Sequence, residues 1–170
     1  MWWSRILLAL AATVMLAACG FQPVYRSAGG PSGEVVAALS QVDVGIIEDR
    51  AGQMLRNQLL TLLNPKGRPG KAQYVLAVKL TETRQELALK KSEVATRANL
   101  LFRAEFSLAN ATGGGQVVSG VSRVVVSYNV LTAEFATLVA EEDARRRAAR
   151  ELALEIADRL AAHFREQGTT

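Results

Sequence analysis

Apolar positions change their spacing along the chain, and each spacing predicts a different element. Residues 42–46 alternate between apolar and polar, which predicts a short strand. The next residues, up to Asn64-Pro65, have apolar positions three and four apart, which predicts an amphipathic helix that stops at the proline. The predicted inward residues are Val42, Val44 and Ile46 on the strand, and Ala51, Leu55, Leu59 and either Leu62 or Leu63 on the helix.

A period of two returns between residues 74 and 128 and predicts three further strands. Lys90-Lys91-Ser92 is the predicted tip of a long hairpin, and NATGGG at residues 110–115 is the next turn. The apolar positions change parity within the first of these strands, which predicts a bulge between Thr81 and Glu86. Because no helix interrupts the three strands, an antiparallel meander is expected, with the strand at residues 42–46 joining an edge.

The segment from Thr132 to about Phe164 lacks Gly and Pro and predicts a long helix with Thr132 as its N-cap. Together the elements predict an α+β fold, with two helices packed on a mostly antiparallel four-stranded sheet. Charges four residues apart predict ion pairs on a solvated helix face, with a partner-binding surface as the alternative. These pairs are Glu141 with Arg145, Glu142 with Arg146, Asp143 with Arg147 and Glu155 with Arg159, and the predicted core face is Phe135, Leu138, Leu152, Ile156, Leu160 and Phe164.

The N-terminus has the pattern of an export signal. Arg5 supplies a positive charge, an apolar run follows to Leu16, and Ala17 and Ala18 are the small residues of a cleavage site. The sequence LAAC resembles the lipobox of bacterial lipoproteins, in which the cysteine becomes the acylated first residue of the mature chain. Cys19 is therefore the predicted lipid-attachment site, and an ordinary secretory signal with an incidental cysteine is the alternative.

This interpretation divides the chain into three parts. Residues 1–18 are the predicted signal peptide, residues 19–34 the lipidated N-terminus and tether, and residues 35–170 the α+β domain. Gly20 follows the cysteine, and in the lipoproteins that LAAC resembles this choice permits transfer to the outer membrane. We therefore expect the domain to be lipid-anchored at the periplasmic face of that membrane.

Composition limits the chemistry that the chain can perform. It has 49% hydrophobic residues, one Cys and one His, which allows a core but excludes an internal disulfide and a Cys-rich metal site. His163 is expected to interact with the end of its helix. We expect neither an enzyme nor a cofactor. Removal of residues 1–18 takes away one basic residue, which leaves 20 − 1 = 19 basic and 16 acidic residues and a net charge of +3. This charge suits an anionic lipid or membrane partner but does not point to nucleic acid.

Three segments resemble the LptE family of lipopolysaccharide-assembly lipoproteins, particularly its alphaproteobacterial branch. They are CGFQPVY from Cys19, DRAGQMLRNQLL from Asp49, and the segment that runs from SYNVLTAEF into the last helix. The resemblance implies that the domain is a plug inside the lumen of the outer-membrane barrel LptD. It also implies that the plug and the barrel together insert lipopolysaccharide into the outer leaflet. An auxiliary lipoprotein of another envelope machine, such as a lipid-transport ABC system or a secretin pilot, is the alternative function.

The resemblance also implies that basic residues bind lipopolysaccharide, whose phosphates suit Lys and Arg. Lys90, Lys91 and Arg97, at and near the predicted hairpin tip, are the candidates. A second basic cluster, the alternative, consists of Lys66, Arg68 and Lys71. Lysines at a hairpin tip can also serve only to keep a strand edge soluble.

Overall fold

A computed structural model describes residues 31–87 and 97–167, so Cys19, the predicted signal peptide and the predicted tip at Lys90-Lys91-Ser92 lie outside the described residues. The described residues form three helices and four strands. In chain order these are α1 (Pro31–Leu39), β1 (Val42–Val44), α2 (Asp49–Leu63), β2 (Tyr74–Leu87), β3 (Arg97–Asn110), β4 (Gln116–Asn129) and α3 (Glu134–Gln167). The predicted α+β class is confirmed, and α1 is an addition that begins within the segment expected as a tether.

The four strands form one sheet in the order β1-β2-β3-β4. β1 lies at the edge and pairs in parallel with β2, because α2 connects the two strands. The β2–β3 and β3–β4 pairs are antiparallel, which confirms the predicted meander. Among the described residues, the inner face of this sheet contains the buried Leu76, Leu100, Phe102 and Phe106.

The predicted bulge between Thr81 and Glu86 is wrong. β2 and β3 pair without a register shift from Tyr74 opposite Asn110 to Leu87 opposite Arg97. The inner parity continues through two charged residues, Glu82 and Arg84, which reach partners on α3. The register shift that the structure contains lies in the next pair, where Leu108 faces Val118 and Ala109 faces Gln116.

The predicted turn at residues 110–115 is confirmed. Gly113 and Gly115 have φ angles of 88° and 47°, a left-handed conformation that glycine adopts at little cost. The Asn110 side-chain amide donates a hydrogen bond of 2.7 Å to the Gly114 carbonyl. This local bond and the two glycines reverse the chain between β3 and β4.

Both long helices pack on the inner face of the sheet. The predicted stripe of α2 is confirmed, with Leu63 rather than Leu62 as its last fully buried residue. Ile46 is 89% exposed, because β1 ends at Val44 and the chain turns so that Ile47 enters the core instead. In α3 the buried residues include many alanines, whose small side chains let the helix approach the sheet closely: Ala144, Ala148, Leu152, Ala153, Ile156, Ala157, Leu160, Ala161 and Phe164.

The first turns of α3 depart from the prediction. Phe135 and Leu138 are 79% and 64% exposed, so the expectation that they belong to the core is wrong. The reason is where α2 begins. Arg50, at the N-terminus of α2, pairs with Glu142 at 2.8 Å, so α2 does not reach the first turns of α3. The helix also begins at Glu134, after Ala133, so Thr132 is not the residue next to the helix start.

Candidate functional site

The described members of the two basic clusters considered from the sequence lie at opposite ends of the sheet. Arg97, the one described member of the first cluster, begins β3, is exposed and faces Leu87 and Asn129 at the end of the hairpin. The second cluster lies in the loop that precedes Tyr74, at the other end of β2. β2 has 14 residues, and strands rise about 3.4 Å per residue, so Arg97 and this loop are separated by about 45 Å.

The second cluster is partly committed to the fold. The Arg68 guanidinium contacts the Asp43 carboxylate of β1 at 3.0 Å. Lys66 and Lys71 are exposed, and no ion pair is present for either among residues 31–87 and 97–167. Arg68 thus holds its loop against the edge strand, whereas Lys66 and Lys71 are accessible to a ligand.

A polar network lies among the apolar side chains between α3 and the hairpin. Glu141 is 9% exposed and accepts hydrogen bonds from Arg145, from Arg84 at 3.5 Å and from the Tyr128 hydroxyl at 3.2 Å. Arg145 also contacts Glu82 of β2 at 2.9 Å. The network therefore joins α3 to β2 and β4, and the prediction of a solvated face is wrong for Glu141.

The protonation of this network follows from its surroundings. Burial, with the nearby Glu141 carboxylate, raises the pKa of Tyr128, so its hydroxyl stays neutral and donates. The hydrogen bond to Glu82 is the main cause that raises the pKa of Arg145. Each charge has a partner of opposite sign, an arrangement that positions elements and leaves no free acid or base for chemistry.

A second polar contact fixes the middle of α3. The Ser122 hydroxyl of β4 donates to Glu155, and Glu155 in turn pairs with Arg159, as its spacing predicted. Arg159 also donates to the Val121 carbonyl at 2.9 Å and lies 5.9 Å from the Phe106 ring centre. This predicted ion pair therefore holds the helix on the sheet.

The remaining two ion pairs predicted along α3 are present near the surface. Glu142 contacts Arg146 at 3.9 Å, and Asp143 contacts Arg147 at 3.0 Å, with half-exposed side chains. His163 packs against Phe164, and its Nε2 is buried without a hydrogen-bond partner among the described residues. The expected interaction of His163 with its helix end is thus not among the hydrogen bonds of the described chain.

The partners of Glu141 and Arg145 on β2 were not predicted from the sequence. Glu82 and Arg84 occupy even positions, as Tyr74, Leu76 and Val78 do, but they lie in the segment for which a bulge was predicted. Two sequence features could have indicated these contacts: the period of two continues through Glu82 and Arg84, and the last helix carries Glu141 and Arg145, which have complementary charges, four residues apart.

Two kinds of site are absent from the described part of the chain. No group of three or more His, Cys, Asp or Glu side chains there could hold a metal ion. None of its helices combines the length and the apolarity that a membrane span requires.

The folded body corresponds to a known family. Residues 39–160, from the end of α1 through most of α3, match LptE, described as lipopolysaccharide-assembly. The chain belongs to the LptE family. It is therefore an envelope lipoprotein of lipopolysaccharide assembly, from a family without enzymatic activity.

Solved structures share the LptE fold of this chain. A protein described as a lipoprotein from Caulobacter crescentus CB15 is 30% identical, with a TM-score of 0.65 over 79% of this chain and 98% of that one. A minor lipoprotein from Acinetobacter baumannii is 22% identical, with a TM-score of 0.56 over 71% of this chain and 91% of that one, and it supports the fold alone. Among curated protein sequences, none matches this chain significantly.

Proposed function

We propose that this LptE protein is an outer-membrane lipoprotein that assembles with the barrel LptD, plugs its lumen and helps it insert lipopolysaccharide into the outer leaflet. The observation that carries the proposal is the family match across residues 39–160. In this proposal residues 1–18 are removed, Cys19 is acylated, residues 19–34 form the tether and residues 35–170 form the domain. The acyl chains hold the domain at the periplasmic face.

The shape and surface of the described body support a role as a plug. β2, β3 and β4 have 14 residues each and α3 has 34, so the body is elongated along one direction. The network around Glu141 and the contacts of Glu155 fasten α3 to the sheet. The lumen of a membrane barrel is polar, and a firmly held body with charged outer faces suits that environment.

Lipopolysaccharide binding is proposed at the hairpin end, through Lys90, Lys91 and Arg97. Arg97 is exposed at the start of β3, so its guanidinium is available to a phosphate beside the tip. The mature chain carries a net positive charge, which favours approach to an anionic lipid. Lys66 and Lys71 provide the matched comparison at the far end of the sheet.

Purification of the tagged, acylated chain from detergent-solubilised outer membranes tests the assembly role. A barrel of the LptD type should remain bound in equal amounts at high salt. The Cys19→Ala variant should fail to reach the outer membrane, because it lacks the acylated residue. A secretin, an inner-membrane permease or no partner would reject the plug, and membrane retention of an acylated Cys19→Ala chain would reject the anchor.

Charge reversal at the tip tests the lipid-binding role. The Lys90→Glu, Lys91→Glu double variant should bind lipopolysaccharide at least tenfold more weakly, because each lost charge-assisted bond contributes roughly 1.5 kcal/mol or more. The matched control is Lys66→Glu with Lys71→Glu, which should bind as the parent does, and circular dichroism should be unchanged in both. Weaker binding of the control alone would move the site to the second cluster.

A further inference from the structure

We propose that the outer face of the sheet carries a second anion site, in which Arg103, Arg123 and Lys79 bind the phosphate group of an acylated lipid. The inference rests on the proposed binding of lipopolysaccharide, but it concerns residues away from the hairpin tip. The helices cover the inner face, whose residues include the buried Leu100, Phe102 and Phe106. Successive side chains of a strand point to opposite faces, so the odd-numbered neighbours project outward from β2, β3 and much of β4.

Strand register places these outward residues in rows across β2, β3 and β4. Each row is read from the pairing of β2 with β3 and of β3 with β4. The three central rows are Lys79, Glu105 and Val121; Thr81, Arg103 and Arg123; and Thr83, Leu101 and Val125.

Two arginines thus lie directly opposite each other in the middle row. Opposed side chains of an antiparallel pair have Cβ atoms about 4.5–5.5 Å apart, and like charges at that position destabilise the sheet. Glu105 contacts Arg103 at 2.9 Å and faces Lys79 across the strands. For Arg123 no hydrogen bond or ion pair is present within the described chain, and the side chain is exposed. Three cations and one carboxylate leave a charge of 3 − 1 = +2 at this place.

A phosphate group suits this arrangement because its oxygens can accept from two guanidinium groups at once. The flanking rows supply aliphatic surface from Leu101, Val121 and Val125, the last of which is 60% exposed. A free phosphate would use only the charges. The combination of opposed arginines and adjacent aliphatic side chains therefore favours a phosphorylated lipid, with its acyl chains beside the arginine row.

Arg123→Glu is the decisive variant, because the proposal predicts that it raises stability and lowers lipid binding. The new carboxylate would face Arg103, so the midpoint of urea unfolding should rise. Binding of bisphosphorylated lipid A to the acylated chain in detergent micelles should fall about tenfold or more. Arg150→Glu, an exposed arginine of α3 on the other side of the sheet, is the matched control for net charge and should leave lipid binding unchanged. Glu105→Gln removes the internal competitor and should strengthen binding.

Several outcomes would overturn the inference. Equal loss in Arg150→Glu would show a response to net charge alone, and unchanged binding in Arg123→Glu would remove the site while leaving the hairpin tip as the proposed one. Equal affinity for dephosphorylated lipid A would exclude the phosphate. Full competition by inorganic pyrophosphate would point to a free anion, and loss of the co-purified barrel instead of lipid would point to a protein partner. Absence of lipid binding by the parent chain would reject both lipid sites and leave barrel assembly to be judged by co-purification.

Discussion

Replacement of Glu141 by glutamine tests whether the polar network holds α3 on the hairpin. The carboxylate accepts from Arg145, Arg84 and Tyr128, and the Glu141 side chain is 11% exposed, whereas Asp143 pairs with Arg147 through a side chain that is 56% exposed. Asp143→Asn is therefore a matched control with the same chemical change and the same spacing to an arginine. The two variants differ mainly in burial and in the number of partners.

The expected cost follows from these contacts. Hydrogen bonds to charged groups contribute about 1.5–3 kcal/mol and neutral ones about 1 kcal/mol. Glutamine keeps one acceptor oxygen, and Arg84 is 43% exposed and can turn to water. We therefore expect Glu141→Gln to lower the free energy of unfolding by about 2 kcal/mol, and the exposed pair of Asp143 to contribute about 0.5 kcal/mol or less.

Urea unfolding followed by far-ultraviolet circular dichroism measures this difference. Both tryptophans, Trp2 and Trp3, lie in the predicted signal peptide, so tryptophan fluorescence would not report on the mature domain. A loss of about 2 kcal/mol corresponds to a thermal midpoint lower by about 6 °C for a domain of this size. If Glu141→Gln and Asp143→Asn prove equally stable, the network contributes no more than a surface ion pair and the reasoning is refuted.

Three further outcomes follow from the packing. Gly120→Ala should cost about 1–3 kcal/mol, because a Cβ there would lie 2.8 Å from the Phe106 ring, and a neutral result in urea unfolding would show that the ring can move. Burial raises the pKa of Tyr128 in the folded state. The neutral hydroxyl therefore contributes stability below the unfolded pKa of about 10, and this contribution is lost as the pH rises through the folded-state pKa. The thermal midpoint of Tyr128→Phe should accordingly decrease less at alkaline pH than that of the parent. Leu152→Ala should cost about 3–5 kcal/mol and Leu138→Ala under about 1 kcal/mol, since these leucines are 0% and 64% exposed, and similar thermal midpoints would contradict the exposure of the first turns of α3.

Sequence periodicity predicted the elements well where apolar residues form the inner face. Leu55 and Leu59 in α2, and Leu152 and Ile156 in α3, are buried as their spacing indicated. It failed where the inner face becomes polar, because a charged residue such as Glu82 has the same sequence signature whether it meets solvent or an arginine. Whether Phe135 is buried depends on how far another helix extends, which local spacing does not contain.

The candidate sites were predictable to different degrees. The prediction of Cys19 rests on a local pattern, and that of Lys90 and Lys91 on their place between two alternating segments, and both stay predictions. The opposition of Arg103 and Arg123 could not be read in this way. It depends on the register between β3 and β4, and a shift of one residue would place the two arginines on opposite faces.

The two ends of the sheet are stabilised by different interactions, and this division bears on function. Near Tyr74, both α2 and α3 cover the sheet with apolar side chains, whose burial stabilises the fold. Toward Arg97, α3 alone covers the sheet, and there Glu141 and its partners are added to apolar residues such as Ala98 and Val126. Such a network contributes less net stability than apolar packing but fixes the position of the helix. The apolar end can therefore maintain the fold while the polar end holds the hairpin in place, and this arrangement suits a plug whose proposed lipid-binding tip must keep a defined position within a polar lumen.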